Sequence, residues 1–172
     1  MSDYALLERQ VRELLAAESD VIANAANFAA FVYNELPEVN WAGFYFATPS
    51  GELVLGPFCG RPACTRLAHG RGVCGSAATQ RATVVVDDVT AFADHIVCDA
   101  ASRSEIVVPL IFEERIVGVF DCDSPVKARF ADEDREGIER LVRALSALLT
   151  LPAVLARPAQ PTESLQTPSV RS

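Results

Sequence analysis

The sequence is poor in positive charge. It carries 15 Lys and Arg against 23 Asp and Glu, a formal net charge of -8. Nucleic acid and anionic membrane surfaces are bound through clustered Lys and Arg, so neither is expected as a partner. Long apolar runs are also lacking, and none approaches the roughly 18 residues that a membrane span needs. The N-terminus, "MSDYALLERQVRELLAAESD", is charged and periodic and has no apolar signal-peptide segment. A cytoplasmic protein is expected. There, thiols rest reduced. Five cysteines, an odd number, then point to catalysis, redox sensing or metal rather than a disulfide framework. No internal repeat is present.

What is there is enough apolar material for one domain. Half of the 172 residues are hydrophobic, so a full core forms without staples. Residues 3–15 and 20–36 read as helices. In the second, Val21, Ala25, Phe28, Val32 and Leu36 recur at helical spacing, and Pro37 ends it. "VNWAGFYFA" (39–47) reads as a strand, with Trp41, Gly43 and Tyr45 on one face and Phe44 and Phe46 on the other. After the turn "TPSGE", residues 52–58 return as its hairpin partner. Residues 59–73 are rich in Gly, Pro and Arg and read as a loop. A short helix over 73–80 and a short strand over 82–86 follow.

Residues 87–103 read as a long irregular loop, a length that inside a compact domain usually marks function. "EIVVPLIF" and "RIVGVFDCD" are two strands joined by the charged turn "EER". A closing amphipathic helix points Ile138, Leu141, Val142, Leu145 and Leu148 inward, with Asp132 as its expected N-cap. The tail 151–172, proline-rich and without a period, reads as disordered. This order predicts a single α+β domain over 1–150. Its antiparallel β-sheet has the N- and C-terminal helices on one face and crossover loops on the other.

Cys98 raises the chemical question. A packing cysteine sits inside an apolar run, as Cys122 does, whereas Cys98 ends the polar loop "DHIVCDAASRS". Cys64 is similarly placed in "RPAC". Cys59, Cys64, His69 and Cys74 recur at five-residue steps, a possible zinc set, but the spacing is unlike the usual knuckles. Asp121 and Asp123, two apart in a strand, share one face, and repulsion between them raises one pKa. The hairpin brings Glu105, at the start of the preceding strand, towards both. Trp41 stands on a neighbouring strand, where an aromatic is ordinarily core.

The motifs "NWAGFYF", "GPFCGRPACTRLAHGRGVCGSAA", "VDDVTAFADHIVCDAASRSEIVVPL" and "GVFDCDS...RFADEDREGIERLV" together resemble the free methionine-(R)-sulfoxide reductases of the GAF-domain family. The resemblance implies a GAF fold, usually homodimeric, that reduces the free amino acid's sulfoxide with thioredoxin as reductant. It implies that Cys98 is the catalytic cysteine, Cys64 the resolving one and Cys74 an auxiliary thiol. Trp41, Glu105, Asp121 and Asp123 become the substrate-binding residues. No cofactor or resident metal is expected. The chain departs from the family at Cys59, where a polar residue is more usual, and at Cys122, where an aliphatic is usual. Which of Cys64, Cys74 and Cys59 resolves the sulfenic acid stays open. Three carboxylates near a thiol disfavour its thiolate. A substrate ammonium would neutralise part of that charge, and one acid held protonated would serve as proton donor. Two other readings are a non-catalytic GAF module that binds small molecules or senses redox state, and a structural zinc domain.

Overall fold

In a computed structural model, residues 2–93 and 100–148 are described. The elements run α1 (Tyr4–Leu15), α2 (Val21–Glu35), β1 (Trp41–Ala47), β2 (Leu53–Gly60), β3 (Arg66–Leu67), α3 (Gly72–Gln80) and β4 (Val84–Val86). A 3-10 turn (Val89–Ala91), β5 (Ser104–Phe112), β6 (Arg115–Ser124) and α4 (Asp132–Ser146) follow. One six-stranded sheet has the order β3-β2-β1-β6-β5-β4, and every pair is antiparallel.

The two faces of this sheet do different work. Alternation sends Ala42, Phe44 and Phe46 of β1 into one core, with Ile106, Val108, Phe120 and Cys122. Helices α1, α2 and α4 cover that face through Tyr4, Val11, Phe28, Val32, Ile138, Leu141 and Leu145. The next residue in each case, as in Trp41, Tyr45, Val107 and Val119, turns to the opposite face and a second apolar cluster with Val73, Cys74 and Ala77 of α3. The expected division of helices and loops between the faces is present.

Local chemistry explains the element ends. Asp3 and Asp20 cap α1 and α2 by accepting the N–H groups of Leu6 (3.0 Å) and Ala23 (2.8 Å). The hairpin between β5 and β6 turns on two residues, Glu113 and Glu114, rather than three. Both have positive φ, 45° and 60°, the requirement of the tight turn whose twist matches the flanking strands. The loop after β2 contains the short β3, in which Leu67 pairs with Leu53. A two-residue strand leaves no periodic signature. The N-cap of α4 is Ala131 and not Asp132. The orphan Ala131 N–H is taken by the side chain of Asp134 (3.1 Å), so an acid inside the first turn does the capping.

That same Asp134 ties the N-terminal helix α1 to the start of α4. It accepts the Tyr4 hydroxyl (2.7 Å) and the Arg129 guanidinium (2.9 Å). Beside it, Tyr4 lies so close to Gly137 that an added Cβ would fall 2.2 Å from the ring. Gly137→Ala should therefore force the Tyr4 ring out of its seat and cost about 1–3 kcal/mol by overpacking. Urea denaturation measures it, and a lower midpoint is expected.

Candidate active site

The second face carries the chemistry. Trp41 pairs with Asp123 and Gly43 with Asp121 across β1 and β6, and Glu105 pairs with Asp123 across β5 and β6. Directly opposed residues share a face, so Trp41, Glu105, Asp121 and Asp123 all point to the side away from the terminal helices. They line one pocket, joined by Tyr45 and by Cys74 from α3. The sequence-expected pocket residues are thus brought together, with Tyr45 as an addition. Its signal was available, since it lies on the Trp41 face of the same strand.

Aromatic stacking builds the pocket wall. Trp41 stacks between Tyr45 (ring centroids 6.0 Å) and Phe58 (5.4 Å). Gly43 makes the Phe58 contact possible, because a Cβ there would lie 2.3 Å from that of Phe58. The two polar tips then pin the "RPAC" loop. Trp41 Nε1–H donates to the Arg61 carbonyl (3.1 Å), and the Tyr45 hydroxyl donates to the Cys64 carbonyl (3.0 Å). Cys64 is half-buried against the pocket-side cluster, held by its backbone rather than by its thiol.

Electrostatics in the pocket follow from burial. Glu105 and Asp121 are only 6% and 7% exposed. Burial first, then the charges of Asp121 and Asp123, push the Glu105 carboxyl well above the ordinary carboxylate range. Burial also pushes Asp121 up to about 7. The Cys74 thiol, Glu105 and the Cys122 backbone N–H each pull it partly back by hydrogen bonding. Both carboxyls are thus biased towards holding a proton, and hydrogen bonding opposes that bias at Asp121. Cys74 donates its thiol to Asp121 Oδ2 at 3.5 Å. Burial and the surrounding acids push that thiol up, so it stays protonated. Asp121 Oδ1 is buried without a hydrogen-bond partner.

The remaining thiols separate by strand register. Cys59 pairs with Ala42, which in turn pairs with Cys122. Ala42 and Cys122 lie in the helix-side core, so Cys59 faces away from the pocket. His69 has Nδ1 3.3 Å from the Gly51 carbonyl, at another turn. Cys59, Cys64, His69 and Cys74 hence do not converge as a zinc set. Among the described residues, the group whose potential ligand atoms gather within 4.8 Å is Cys74, Glu105 and Asp121.

Cys98 lies outside the described residues, as does the tail expected to be disordered. The flanks of the Cys98 segment are fixed beside the pocket. Val89 N–H donates to the Arg103 carbonyl (2.9 Å) and Arg103 N–H to the Ser124 carbonyl (2.7 Å). Asn40 Nδ2 donates to Ser102 Oγ (3.2 Å), and Ser102 lies on the pocket wall.

Comparison with known proteins gives the family. The GAF-domain family pattern matches residues 23–150. The chain is 47% identical over 146 residues to the free methionine-R-sulfoxide reductase of Escherichia coli, covering 85% of this chain and 88% of that one. This chain belongs to the free methionine-(R)-sulfoxide reductase branch of the GAF-domain family. The free methionine-R-sulfoxide reductase of Neisseria meningitidis, solved with its substrate, superposes with a TM-score of 0.81. It is 44% identical, with 84% of this chain and 87% of that one covered. A structure from Burkholderia vietnamiensis, described as a candidate GAF sensor, is 58% identical with a TM-score of 0.81, covering 85% and 92%. No described helix is long and apolar enough to cross a membrane.

The raised carboxyl pKa values make stability depend on pH. A carboxyl whose folded pKa exceeds its unfolded one stabilises the fold fully below the unfolded value and loses that contribution as pH rises through the folded one. For Asp121 that window runs from the ordinary 3.8 up to about 7. The melting temperature of the ligand-free protein should fall between about pH 4 and about pH 7. Asp121→Asn should flatten that fall, read by scanning calorimetry across the range.

Proposed function

We propose that this chain reduces free L-methionine-(R)-sulfoxide to methionine by thiol chemistry. The observation that carries the reading is the pocket itself. A protonated carboxyl, Glu105, faces an incompletely partnered carboxylate, Asp121, under the Trp41–Tyr45 wall. Such a pair suits a substrate with an ammonium at one end and a basic sulfoxide oxygen at the other. Asp121 and Asp123 would accept the ammonium. A peptide nitrogen carries no charge and would leave those acids uncompensated. The aromatic wall would hold the methylene chain and methyl group.

Cys98 would attack the sulfoxide sulfur while Glu105 gives its proton to the sulfoxide oxygen. The hydroxyl would then pass to the Cys98 sulfur as the S–O bond and the transient S–S bond break, so that the substrate leaves as the thioether and Cys98 is oxidised to sulfenic acid. Cys64 would then form a disulfide with Cys98, releasing water, and the dithiol of thioredoxin would reduce it. Cys74, held as a thiol on Asp121, would position that carboxylate rather than exchange. A homodimeric state and the reducing cytoplasm as its setting belong to the same proposal. The alternative, a non-catalytic GAF module that binds small molecules or senses redox state, shares the fold and predicts no turnover.

The test is consumption of free racemic methionine sulfoxide with thioredoxin, resolved by epimer. Loss of the R epimer alone is expected, and no consumption would sink the reading. Cys98→Ser should abolish reduction. Cys64→Ser should make about one methionine per chain and then stop, whereas Cys59→Ser should cycle normally. Continued cycling without Cys64 would move the resolving role to another thiol.

The acids should divide by kinetic constant. Glu105→Gln should lower kcat by about a hundredfold or more. Asp123→Asn should mainly raise KM, by about tenfold to a hundredfold for a lost charge-assisted hydrogen bond of roughly 1.5–3 kcal/mol. Steady-state kinetics on the free amino acid separates the two. Full activity in both variants would remove the carboxylates from the mechanism.

A further inference from the structure

The acid pocket also has the donor set of a metal site. Cys74, Glu105 and Asp121 each offer one ligand atom, and these lie within 4.8 Å of one another. Tetrahedral zinc, with Zn–S of about 2.3 Å and Zn–O of about 2.0–2.2 Å, sets sulfur and oxygen ligands about 3.5–3.7 Å apart. The Cys74 Sγ and Asp121 Oδ2 atoms are 3.5 Å apart. A second observation points to a missing cation. Asp121 is only 7% exposed, yet its Oδ1 has no hydrogen-bond partner. Asp123, opposite Glu105 in the ladder, lines the same pocket.

We propose that this pocket binds one Zn2+ ion through Cys74, Glu105 and Asp121, and that the bound ion blocks the site. A thiolate with carboxylates suits a borderline ion such as zinc better than magnesium or calcium, which take oxygen ligands. On binding, the Cys74 thiol and the carboxyl held by Glu105 release their protons to water, and no group is oxidised or reduced. The divalent charge replaces those protons and offsets the repulsion between the acids. An ion there occupies the place of both the substrate ammonium and the donated proton. The blocking half of the proposal rests on the reductase reading, whereas the binding half does not.

The test titrates the full chain, reduced and stripped of metal, with Zn2+ against a colorimetric zinc chelator. Co2+ is used in parallel, because its thiolate charge-transfer absorption reports sulfur ligation. One metal per chain is expected. Cys74→Ser should abolish the cobalt–thiolate band. Cys74→Ser and Asp121→Asn should each weaken binding by at least the roughly tenfold seen when even supporting residues of a metal site are changed. Circular dichroism shows which variants are folded, and either folded one suffices. Cys59→Ser and Cys64→Ser should bind as the parent does. In turnover assays, Zn2+ should compete with free methionine sulfoxide. Absence of stoichiometric binding would overturn the site. So would binding that survives both pocket variants, or that is lost with Cys59 or Cys64. A protein that binds zinc as described but never consumes sulfoxide would keep the site and refute the reductase reading instead.

Discussion

Glu105 and Asp121 cannot both ionise in the space they share. Each is buried, each faces the other, and a third carboxyl, Asp123, lies directly across the ladder from Glu105. Burial and repulsion favour keeping a proton among them, and much of the pocket is arranged around that constraint. The Cys74 thiol and the Cys122 N–H support Asp121 as the more ionised partner. This costs stability in the ligand-free state, as strain at functional sites commonly does. It also stores a proton and a negative site side by side, the two features that a zwitterionic sulfoxide would use.

The sheet makes that arrangement affordable by dividing labour between its faces. One face is closed by three helices over aromatic and aliphatic side chains, including the edge-to-face pair Phe28 and Phe120 (centroids 5.0 Å). That core, with the Tyr4–Asp134–Arg129 network joining the terminal helices, holds the strands still. On the opposite face, the residues at alternate positions of the same strands place their side chains in the pocket. Rigid strands position the carboxylates. The backbone carbonyls of Arg61 and Cys64 are fixed from β1 by Trp41 and Tyr45. A loop rich in Gly, Pro and Arg is thus anchored at two points.

Much of this was legible in advance because it depends on period. The helix-side residues of α2 and α4, the alternation along β1, and the shared face of Asp121 and Asp123 follow from spacings of 3.6 and 2. The helix stop before Pro37 was legible from the covalent restriction that proline imposes. The family motifs added roles for the thiols, which spacing alone left undecided. Less legible were features set by distant partners. The capping of α4 by Asp134 was missed because Ala131 has no capping side chain. The rescue comes from within the helix, and Asp134 is held in place by Tyr4, 130 residues earlier. The strand β3 is too short to carry a pattern, and exists because Leu53 offers it a ladder.

The sequence by itself determined which face each strand residue occupies relative to its neighbours, since backbone geometry alone sets that alternation. It determined likewise that Glu105 and the two aspartates would approach, since a tight hairpin fixes which residues oppose. Only the tertiary structure decided which strands lie next to β1. That neighbourhood turns Cys59 to the helix side, brings Cys74 from α3 onto Asp121, and buries the carboxylates deeply enough to trap a proton. Register between distant segments and the loss of water depend on how all the elements pack at once, and no local spacing encodes them.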